Sequence, residues 1–399
     1  LAVAGLFCAW LLERQRDELH RSERCLAGLL FAWGAAWWVG GGSHEIEQWL
    51  PSEWQLNAAL GFCTATCLAS GSLERRVAWR LARYPALALL PSMVVLALAM
   101  TFRTTHPGAH LGYVAWPLAF VAQLFLLHRH EAAGRRWLEW LHAAGLWLLA
   151  ALGAWEIAWV IDRLVMGRAV WPLIAWPLVP GALLVLLALR GERLPWPTGA
   201  HLATYLVKGG TPLTLFIAAW FVVSNLVSDG DPGPLPYVPL LNPLDLAQAG
   251  VLLVAGTWYW EVRRLGLPPV AAVPRPLVWA VAVAAAFLWA NAILLRSLHH
   301  WGGVPWQLAA MLRSDLVQAS LSLFWTLIAL ATMVLATRWA QRVPWLLGAG
   351  LMAVVVGKLF LVDLSNAGTI ERIVSFVGVG LLMLLIGYLA PAPPKGSSS

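Results

Sequence analysis

The chain has 399 residues, of which 60% are hydrophobic and 12% are charged, and it carries a formal net charge of +7. Its mean hydropathy of +0.70 excludes an ordinary water-soluble globular protein, because a soluble domain cannot bury that much apolar surface. We therefore predict an all-α fold, a polytopic transmembrane helix bundle of about 12–13 spans whose principal partner is the lipid bilayer.

Apolar stretches follow one another with short connections, and a helix needs about 20 mainly apolar residues to cross a bilayer. They predict spans, the first incomplete and the fifth short, at residues 1–12, 25–42, 55–71, 86–102, 115–127, 137–160, 169–188, 211–228, 245–260, 277–295, 316–336, 345–362 and 373–389. We predict a single transmembrane domain over residues 1–390 and a disordered tail over residues 391–399. Because the chain starts at Leu1 within a short apolar run, we expect it to be N-terminally truncated.

The distribution of Lys and Arg predicts the orientation of these spans. Alternate connections carry 20 basic residues on one side and 6 on the other, and Lys358 lies inside a span, which accounts for all 27. Positive residues are retained in the cytoplasm, so we predict a bacterial inner-membrane protein with a cytoplasmic C-terminus. Topology thereby explains the net charge, and we infer no nucleic-acid partner.

Two predicted inward-going spans begin with the same pattern, Asp245-Leu-Ala-Gln248 and Asp315-Leu-Val-Gln318. In a capping box the first side chain accepts hydrogen bonds from free N–H groups at the helix start, and the fourth side chain reaches back. Asp245, Gln248, Asp315 and Gln318 are therefore predicted to be helix caps rather than catalytic residues.

Equal spacing near the outer ends of four outward-going spans indicates an internal repeat. The charged residues Asp162, Asp229, Arg296 and Asp363 are each separated by 67 positions. A fixed period is the sequence signature of repeated structural units. We predict an array of two-helix hairpins whose outward spans end near residues 162, 229, 296 and 363.

Each of those outward spans also carries a polar residue a few positions before its end. Glu156, Asn225, Asn291 and Lys358 are predicted to lie about 6–9 Å below the outer boundary, at a rise of 1.5 Å per residue. Lys358 needs a partner there; Glu156 is the predicted one by depth, and Asp363 is a second candidate that is poorly placed at i+5 in the same helix. An ionisable residue inside the membrane indicates a functional site, but a polar cluster that only fixes helix packing is an equal alternative.

Cysteine and histidine give little indication of a metal or a cofactor. The cysteines lie inside apolar stretches, which favours packing over metal binding. The adjacent His299 and His300 point in different directions, and His142 has no second histidine at a matching predicted depth. We predict no metal site and no cofactor, and the familiar nucleotide-binding and hydrolase motifs are absent from the sequence. An enzymatic activity is therefore not predicted.

The C-terminal third resembles a known family, in the segments Pro239–Gln248, Leu295–Trp306, Leu323–Thr326, Lys358–Ser365, Glu371–Gly380 and Gly387–Pro391. These resemble the predicted bacterial membrane proteins grouped as domain-of-unknown-function family 2339. The resemblance is specific over about residues 235–391 and compositional before them. It implies a long multi-span inner-membrane protein, and it transfers neither an activity nor a catalytic residue.

Three hypotheses for the function remain open from the sequence. The first is a transporter or flippase-like protein with a periplasm-facing polar cavity lined by Glu156, Asn291 and Lys358. The second is an envelope enzyme that transfers a sugar or acyl group at the periplasmic face, and the third is a scaffold without a cavity. The candidate groups at the periplasmic face are Arg296, His299, His300, Asp363, Glu371 and Arg372. The sequence does not predict an oligomeric state or a particular small-molecule or lipid-linked substrate.

Overall fold

A computed structural model describes residues 1–15, 20–131, 136–165 and 170–359 of the chain. The predicted span at 373–389 and the predicted tail at 391–399 lie outside the described residues. Within the described ranges the regular structure is helical and contains no β-strand. The prediction of an all-α polytopic bundle is thereby confirmed.

The helices follow the predicted spans in chain order. They are α1 (Ala2–Arg14), α2 (Arg21–Trp49), α3 (Gln55–Arg76), α4 (Arg83–Leu87), α5 (Leu89–Arg103), α6 (Gly112–His130), α7 (Arg136–Leu164), α8 (Val170–Ala175), α9 (Leu178–Arg190), α10 (Gly210–Val227), α11 (Pro243–Arg264), α12 (Arg275–Gly302), α13 (Leu308–Arg313), α14 (Asp315–Arg338) and α15 (Arg342–Lys358). A π-helix at Thr204–Gly209 leads directly into α10.

Eight helical segments in the described part of the chain are long and apolar enough to cross a membrane: Cys25–Trp49, Gln55–Arg76, Arg80–Arg103, Arg136–Leu164, Val170–Arg193, Thr204–Val227, Arg275–Gly302 and Asp315–Arg338. The other predicted spans correspond to α1, α6, α11 and α15. Helices α1 and α15 have 13 and 17 described residues, fewer than the roughly 20 that a span needs. Helices α6 and α11 have 19 and 22 residues and bury polar side chains, among them Gln123 in α6 and Gln248 in α11.

The chain forms two compact units. Unit 1 comprises Leu1–Pro236 and Leu241–Val283, and unit 2 comprises Tyr237–Leu240 and the chain from Ala284 onward. The core of unit 1 lies among α3, α5, α6 and α7, where Leu60, Leu89, Met93 and Ala119 have no exposed surface. In unit 2, α14 packs on α15 around Ala329, Met333 and Met352.

The residues that indicated a repeat occupy different positions on their helices. Asp162 lies inside α7, Asp229 follows the end of α10, and Arg296 lies six residues before the end of α12. Asp363 lies outside the described residues. The hairpin repeat therefore remains a prediction, and equal sequence spacing does not mark equivalent helix ends here.

The N-cap residues of α11 and α14 are not Asp245 and Asp315, as predicted, but residues that lie earlier in the chain. The N-cap of α11 is Asn242, whose Oδ1 accepts the N–H of Asp245 at 2.9 Å. The N-cap of α14 is Ser314, whose hydroxyl accepts the N–H of Val317 at 3.4 Å. For α11 the prediction was wrong because the helix starts at Pro243, earlier than the hydrophobic pattern indicated. Proline is favoured in the first turn of a helix.

The two glutamines of the predicted capping boxes likewise have other partners. The side-chain amide of Gln248 donates to the Ser224 hydroxyl at 2.8 Å. The side-chain amide of Gln318 donates to the Leu312 carbonyl at 3.0 Å. Asp245 lies in the first turn of α11 and Asp315 in that of α14, where a negative charge favours the helix N-terminus.

Helices α1 and α2 make their closest approach at Gly5 and Gly34. A Cβ atom at Gly34 would lie 2.8 Å from both the backbone nitrogen and the Cγ of Leu6, and one at Gly5 would lie 3.1 Å from the Gly34 Cα. Small residues let helix backbones approach in a membrane, where the resulting van der Waals contacts stabilise helix pairs. This contact therefore fixes α1 against α2.

The substitution Gly34→Leu tests this packing. Because the added side chain would overlap the α1 backbone, we expect it to lower the free energy of unfolding by about 1–3 kcal/mol, measured as thermal unfolding in detergent. Gly28→Leu is the matched control, since Gly28 lies on the same helix with no atom within 4 Å of its Cβ position. Equal effects of the two substitutions would contradict the assigned contact.

Candidate functional site

Glu156 lies near the end of α7 and binds the connection between α5 and α6. Its carboxylate accepts the backbone N–H of Gly108 at 2.7 Å and lies 3.0 Å from Nδ1 of His106. The His106 ring in turn stacks on Trp159, with ring centroids 3.6 Å apart. The predicted partner was Lys358, but these contacts within unit 1 already supply Glu156 with a backbone donor and an imidazole.

Asn225 and Asn291 are the amides of the predicted polar cluster. Each donates a hydrogen bond to a backbone carbonyl of its own helix. Nδ2 of Asn225 donates to the Phe221 carbonyl at 2.8 Å, and Nδ2 of Asn291 donates to the Phe287 carbonyl at 2.7 Å. Oδ1 of Asn291 also accepts the indole N–H of Trp325 at 2.7 Å. Asn291 therefore bonds across helices, as the packing interpretation of the cluster predicts.

Lys358 ends α15 with its side chain turned toward α14. Its ammonium donates to the Ser322 hydroxyl at 2.8 Å and to the Gln318 carbonyl at 3.1 Å. A lysine that is partly buried among apolar helices needs such partners. These two oxygen atoms belong to unit 2, whereas Asn225 and Glu156 belong to unit 1.

Three of the candidate groups at the periplasmic face, Arg296, His299 and His300, lie within the described residues. Arg296 has no exposed surface. Nδ1 of His299 donates to the Val304 carbonyl at 2.7 Å, and the His300 ring stacks on Tyr237 with centroids 4.2 Å apart. The remaining predicted groups, Asp363, Glu371 and Arg372, lie outside the described residues.

Sequence reasoning missed a group of ionisable side chains near the opposite ends of the spans, beside the Arg-rich connections. We call these span ends the basic ends. Nε2 of His201 donates to the carboxylate of Glu131, and the indole N–H of Trp196 donates to the same carboxylate at 2.9 Å. The rings of His142 and His201 stack at 4.6 Å, and Nδ1 of His142 lies 3.0 Å from the Tyr205 hydroxyl.

We call Glu131, His142, Trp196, His201 and Tyr205 the Glu131 cluster. It runs from a partly exposed carboxylate into a buried interior: Glu131 is 30% exposed, whereas His142 is 3% and Tyr205 6% exposed. His142 is the seventh residue of α7, about 9 Å along the helix axis from its first residue. The cluster therefore forms a row of ionisable groups that leads inward from a basic end.

Burial by itself would raise the pKa of Glu131, but hydrogen bonds from His201 and Trp196 outweigh it. The neighbouring imidazoles of His201 and His128 act in the same direction as these bonds, so the pKa lies below its usual value of 4.5. Hydrogen bonds and positive charges favour the ionised form of a carboxyl group. Glu131 is therefore a carboxylate at neutral pH.

The π-helix at Thr204–Gly209 places Tyr205 in the cluster. Its backbone is bonded by indole groups of two neighbouring helices: Trp147 donates to the Gly209 carbonyl at 3.0 Å, and Trp258 donates to the Leu206 carbonyl at 2.9 Å. Widened turns of this type are frequent at functional sites. The start of the α10 segment is thus held by both α7 and α11.

Beyond the π-helix, α10 carries buried polar atoms that lack partners among the described residues. They are the hydroxyl oxygens of Thr211 and Thr214 and Oδ1 of Asn225. At the far end of α10 the Ser224 hydroxyl meets Gln248, which is fully buried beside the fully buried Asp245. Polar side chains therefore follow the α10 segment from the Glu131 cluster to the opposite end of the span.

The sequence contained a signal for part of this arrangement. His201 follows Arg190 and Arg193, which placed it at the same basic end as Glu131 and the start of α7. His142 was expected to serve packing or hydrogen bonding, because no second histidine was expected at its depth. The π-helix and the connection before it bring His201 onto the His142 ring, and hydropathy gives no information about that contact.

The substitution Glu131→Gln tests the electrostatic contribution of the cluster. A carboxylate whose pKa is lowered on folding stabilises the protein above its unfolded pKa, and this contribution is lost as the pH falls through the lowered folded pKa. We therefore expect the difference in melting temperature between wild type and Glu131→Gln to be constant near neutral pH and to shrink below about pH 4.5.

The control for this pH dependence is Glu53→Gln, because the Glu53 side chain is 67% exposed and lies 3.7 Å from Nδ1 of His110. Its effect should be small across the whole pH range. A pH-independent difference for Glu131→Gln would contradict the lowered pKa.

The substitution Ser322→Ala removes a hydrogen-bond acceptor of Lys358. Because the lost bond joins a charged donor to a partly buried acceptor, we expect the free energy of unfolding to fall by about 1.5–3 kcal/mol. Ser297→Ala is the control, since the Ser297 hydroxyl donates to the Ile293 carbonyl of its own helix. If chemical denaturation shows equal losses for both, Lys358 does not depend on Ser322.

A comparison with known proteins defines the family of this chain. The family model described as predicted membrane protein (DUF2339) matches residues 1–393. No curated protein and no solved structure matches the chain. The match includes the N-terminal spans, so the range 235–391 given by sequence resemblance is too narrow. The chain belongs to the DUF2339 family of predicted membrane proteins.

Proposed function

We propose that this protein is a transporter of a small polar solute, with its path along α10 and with the Glu131 cluster as the proton-binding group at one end. The observation that supports the path most directly is the series of buried, unpaired oxygen atoms on Thr211, Thr214 and Asn225. An unpaired polar atom in apolar surroundings costs about 1–3 kcal/mol. A path for water and a polar solute accounts for three such atoms on one helix.

Side-chain geometry on α10 supports the same path. At 100° per residue, Thr214 and Asn225 differ by about 20° around the helix axis, and Thr211 lies about 60° from Thr214. Leu215, next to Thr214, is 64% exposed and lies on the side of α10 that faces lipid. Thr214 and Asn225 therefore share one side of α10, whereas Thr211 lies between that side and the exposed Leu215, about 40° from Leu215 around the helix axis.

The Glu131 cluster supplies groups that can bind and release protons. Rows of carboxylates and histidines inside membrane proteins form proton relays, and the contacts from Glu131 through His201 and His142 to Tyr205 form such a row. Proton binding at the start of α10 would then change the charge at the mouth of the path. This distinguishes the proposed transporter from a scaffold.

The proposed orientation places the Glu131 cluster on the cytoplasmic side of a bacterial inner membrane, with the C-terminus also cytoplasmic. The excess of basic residues in the connections at this end supports it. The path would open toward the periplasm near Asp245 and Gln248. The proposed path differs from the periplasm-facing cavity predicted from the sequence. That cavity was expected to be lined by Glu156, Asn291 and Lys358, none of which lies on the proposed path.

Cysteine accessibility tests the path without knowledge of the solute. In a background with the four native cysteines replaced, Thr214→Cys should react with a small, charged methanethiosulfonate reagent in membrane vesicles. Leu215→Cys is the matched control at the same depth, and we expect it to react at least about tenfold more slowly, because a thiol in lipid does not ionise. The proposed path is overturned if Thr214→Cys does not react, or if Thr214→Cys and Leu215→Cys react at equal rates.

The role of the Glu131 cluster is tested by the pH dependence of the same labelling. The exposed variant Ser52→Cys provides the correction for thiol ionisation. After this correction, the labelling rate at Thr214→Cys should change about threefold or more on acidification, because proton binding would change the charge at the mouth of the path. Adding His201→Gln should abolish the change. A corrected rate that stays constant with pH would contradict a proton-binding role.

A further inference from the structure

A polar pocket lies at the basic end of unit 1, separate from the Glu131 cluster. It has a volume of about 550 Å³ and lies between the end of α1 and the connection that follows α3. The side chains that define its chemistry are Trp10, Glu13, Arg14, Arg76, Trp79 and Arg80. The pocket therefore combines three guanidinium groups and two indoles with one carboxylate.

The pocket has an excess of positive charge that its own carboxylate does not neutralise. Oε2 of Glu13 accepts the backbone N–H of Leu81 at 3.2 Å, and this bond holds the carboxylate on the turn at Arg80–Ala82. Across the described ranges of the chain, no carboxylate forms an ion pair with Arg14, Arg76 or Arg80. The guanidinium groups are thus available to an external anion.

The backbone brings these arginines together through a tight reversal. Helix α3 ends at Arg76, and Ala78 adopts a left-handed conformation with φ +53°, which is unfavourable for a residue with a Cβ atom. Trp79 anchors the reversal, because it is 8% exposed and packs on Ala9 and Ala82. Arg76 and Arg80 therefore line the same pocket from opposite sides of the turn.

The surroundings of the pocket indicate which anion it receives. Phe7 and Leu11 on α1 are 55% and 40% exposed, so acyl chains can lie along the helix that ends at Arg14. The Arg14 guanidinium also lies over the Trp10 ring at 5.6 Å, and indole groups favour the headgroup level of a bilayer. Basic pockets at the cytoplasmic side of membrane helices bind anionic headgroups.

We propose that this pocket binds the phosphate group of an anionic phospholipid, with Arg14, Arg76 and Arg80 as its ligands. Guanidinium groups bind phosphate oxygens through paired hydrogen bonds, and three of them can contact one phosphodiester. The chemistry is shared with soluble phosphate, and the exposed apolar face of α1 favours the lipid. This binding site is independent of the proposed transport path.

Native mass spectrometry of the full chain in detergent tests the site. With dioleoyl phosphatidylglycerol as the probe, we expect one lipid to remain bound at collision energies that remove dioleoyl phosphatidylcholine. Arg14→Gln combined with Arg76→Gln should weaken that binding about tenfold or more. The control combines Arg190→Gln with Arg193→Gln, two exposed arginines at a basic end that do not line the pocket, and it should bind as wild type does.

The outcomes separate the sources of the anion. Loss of phosphatidylglycerol in both double variants would show a general charge effect and would overturn the site. Displacement of the lipid by millimolar inorganic phosphate would overturn the assignment to a lipid headgroup. If the Arg14 and Arg76 double variant does not fold, Arg76→Gln alone serves, because Arg76 is exposed at the end of α3 and its loss leaves the core unchanged.

Discussion

The structure depends on one constraint: a polar group among apolar helices must find its hydrogen-bond partner within the protein. In unit 1 the carboxylates at span ends meet donors from other elements. Glu74 contacts His130 at 2.6 Å and Arg83 at 2.7 Å, and Glu139 pairs with Lys208. Because each pair joins different helices, the pairs also fix the relative positions of those helices, which apolar packing alone would specify weakly.

Among the described helices, α10 carries the most buried polar side-chain atoms that lack a partner. The π-helix that precedes α10 carries Tyr205, and indole donors from α7 and α11 bond the carbonyls there. Farther along, the buried oxygens of Thr211 and Thr214 have no partner among the described residues. The chain is thus well bonded in the π-helix and under-bonded in the first turns of α10, and the proposed aqueous path would account for that contrast.

Features that depend on local hydropathy could be predicted from the sequence, and features that depend on distant pairs could not. The helices match the predicted spans because twenty apolar residues specify a span on their own. The Lys358 side chain was expected to need partners, but Gln318 and Ser322 lie 40 and 36 positions away. Likewise Glu131 and His201 are 70 positions apart, and only the connection before the π-helix brings them together.

The junction between the Glu131 cluster and α10 links the proposed proton binding to the proposed path. Gly209 and Gly210 allow close contact there, since Cβ atoms at these positions would lie 2.8 Å from Leu146 of α7 and 2.5 Å from the Trp258 indole of α11. A change of helical register at the π-helix would break the bonds from Trp147 and Trp258 together. Proton binding beside Tyr205 therefore has a physical route to α7 and α11, because both helices hold the segment whose backbone would move.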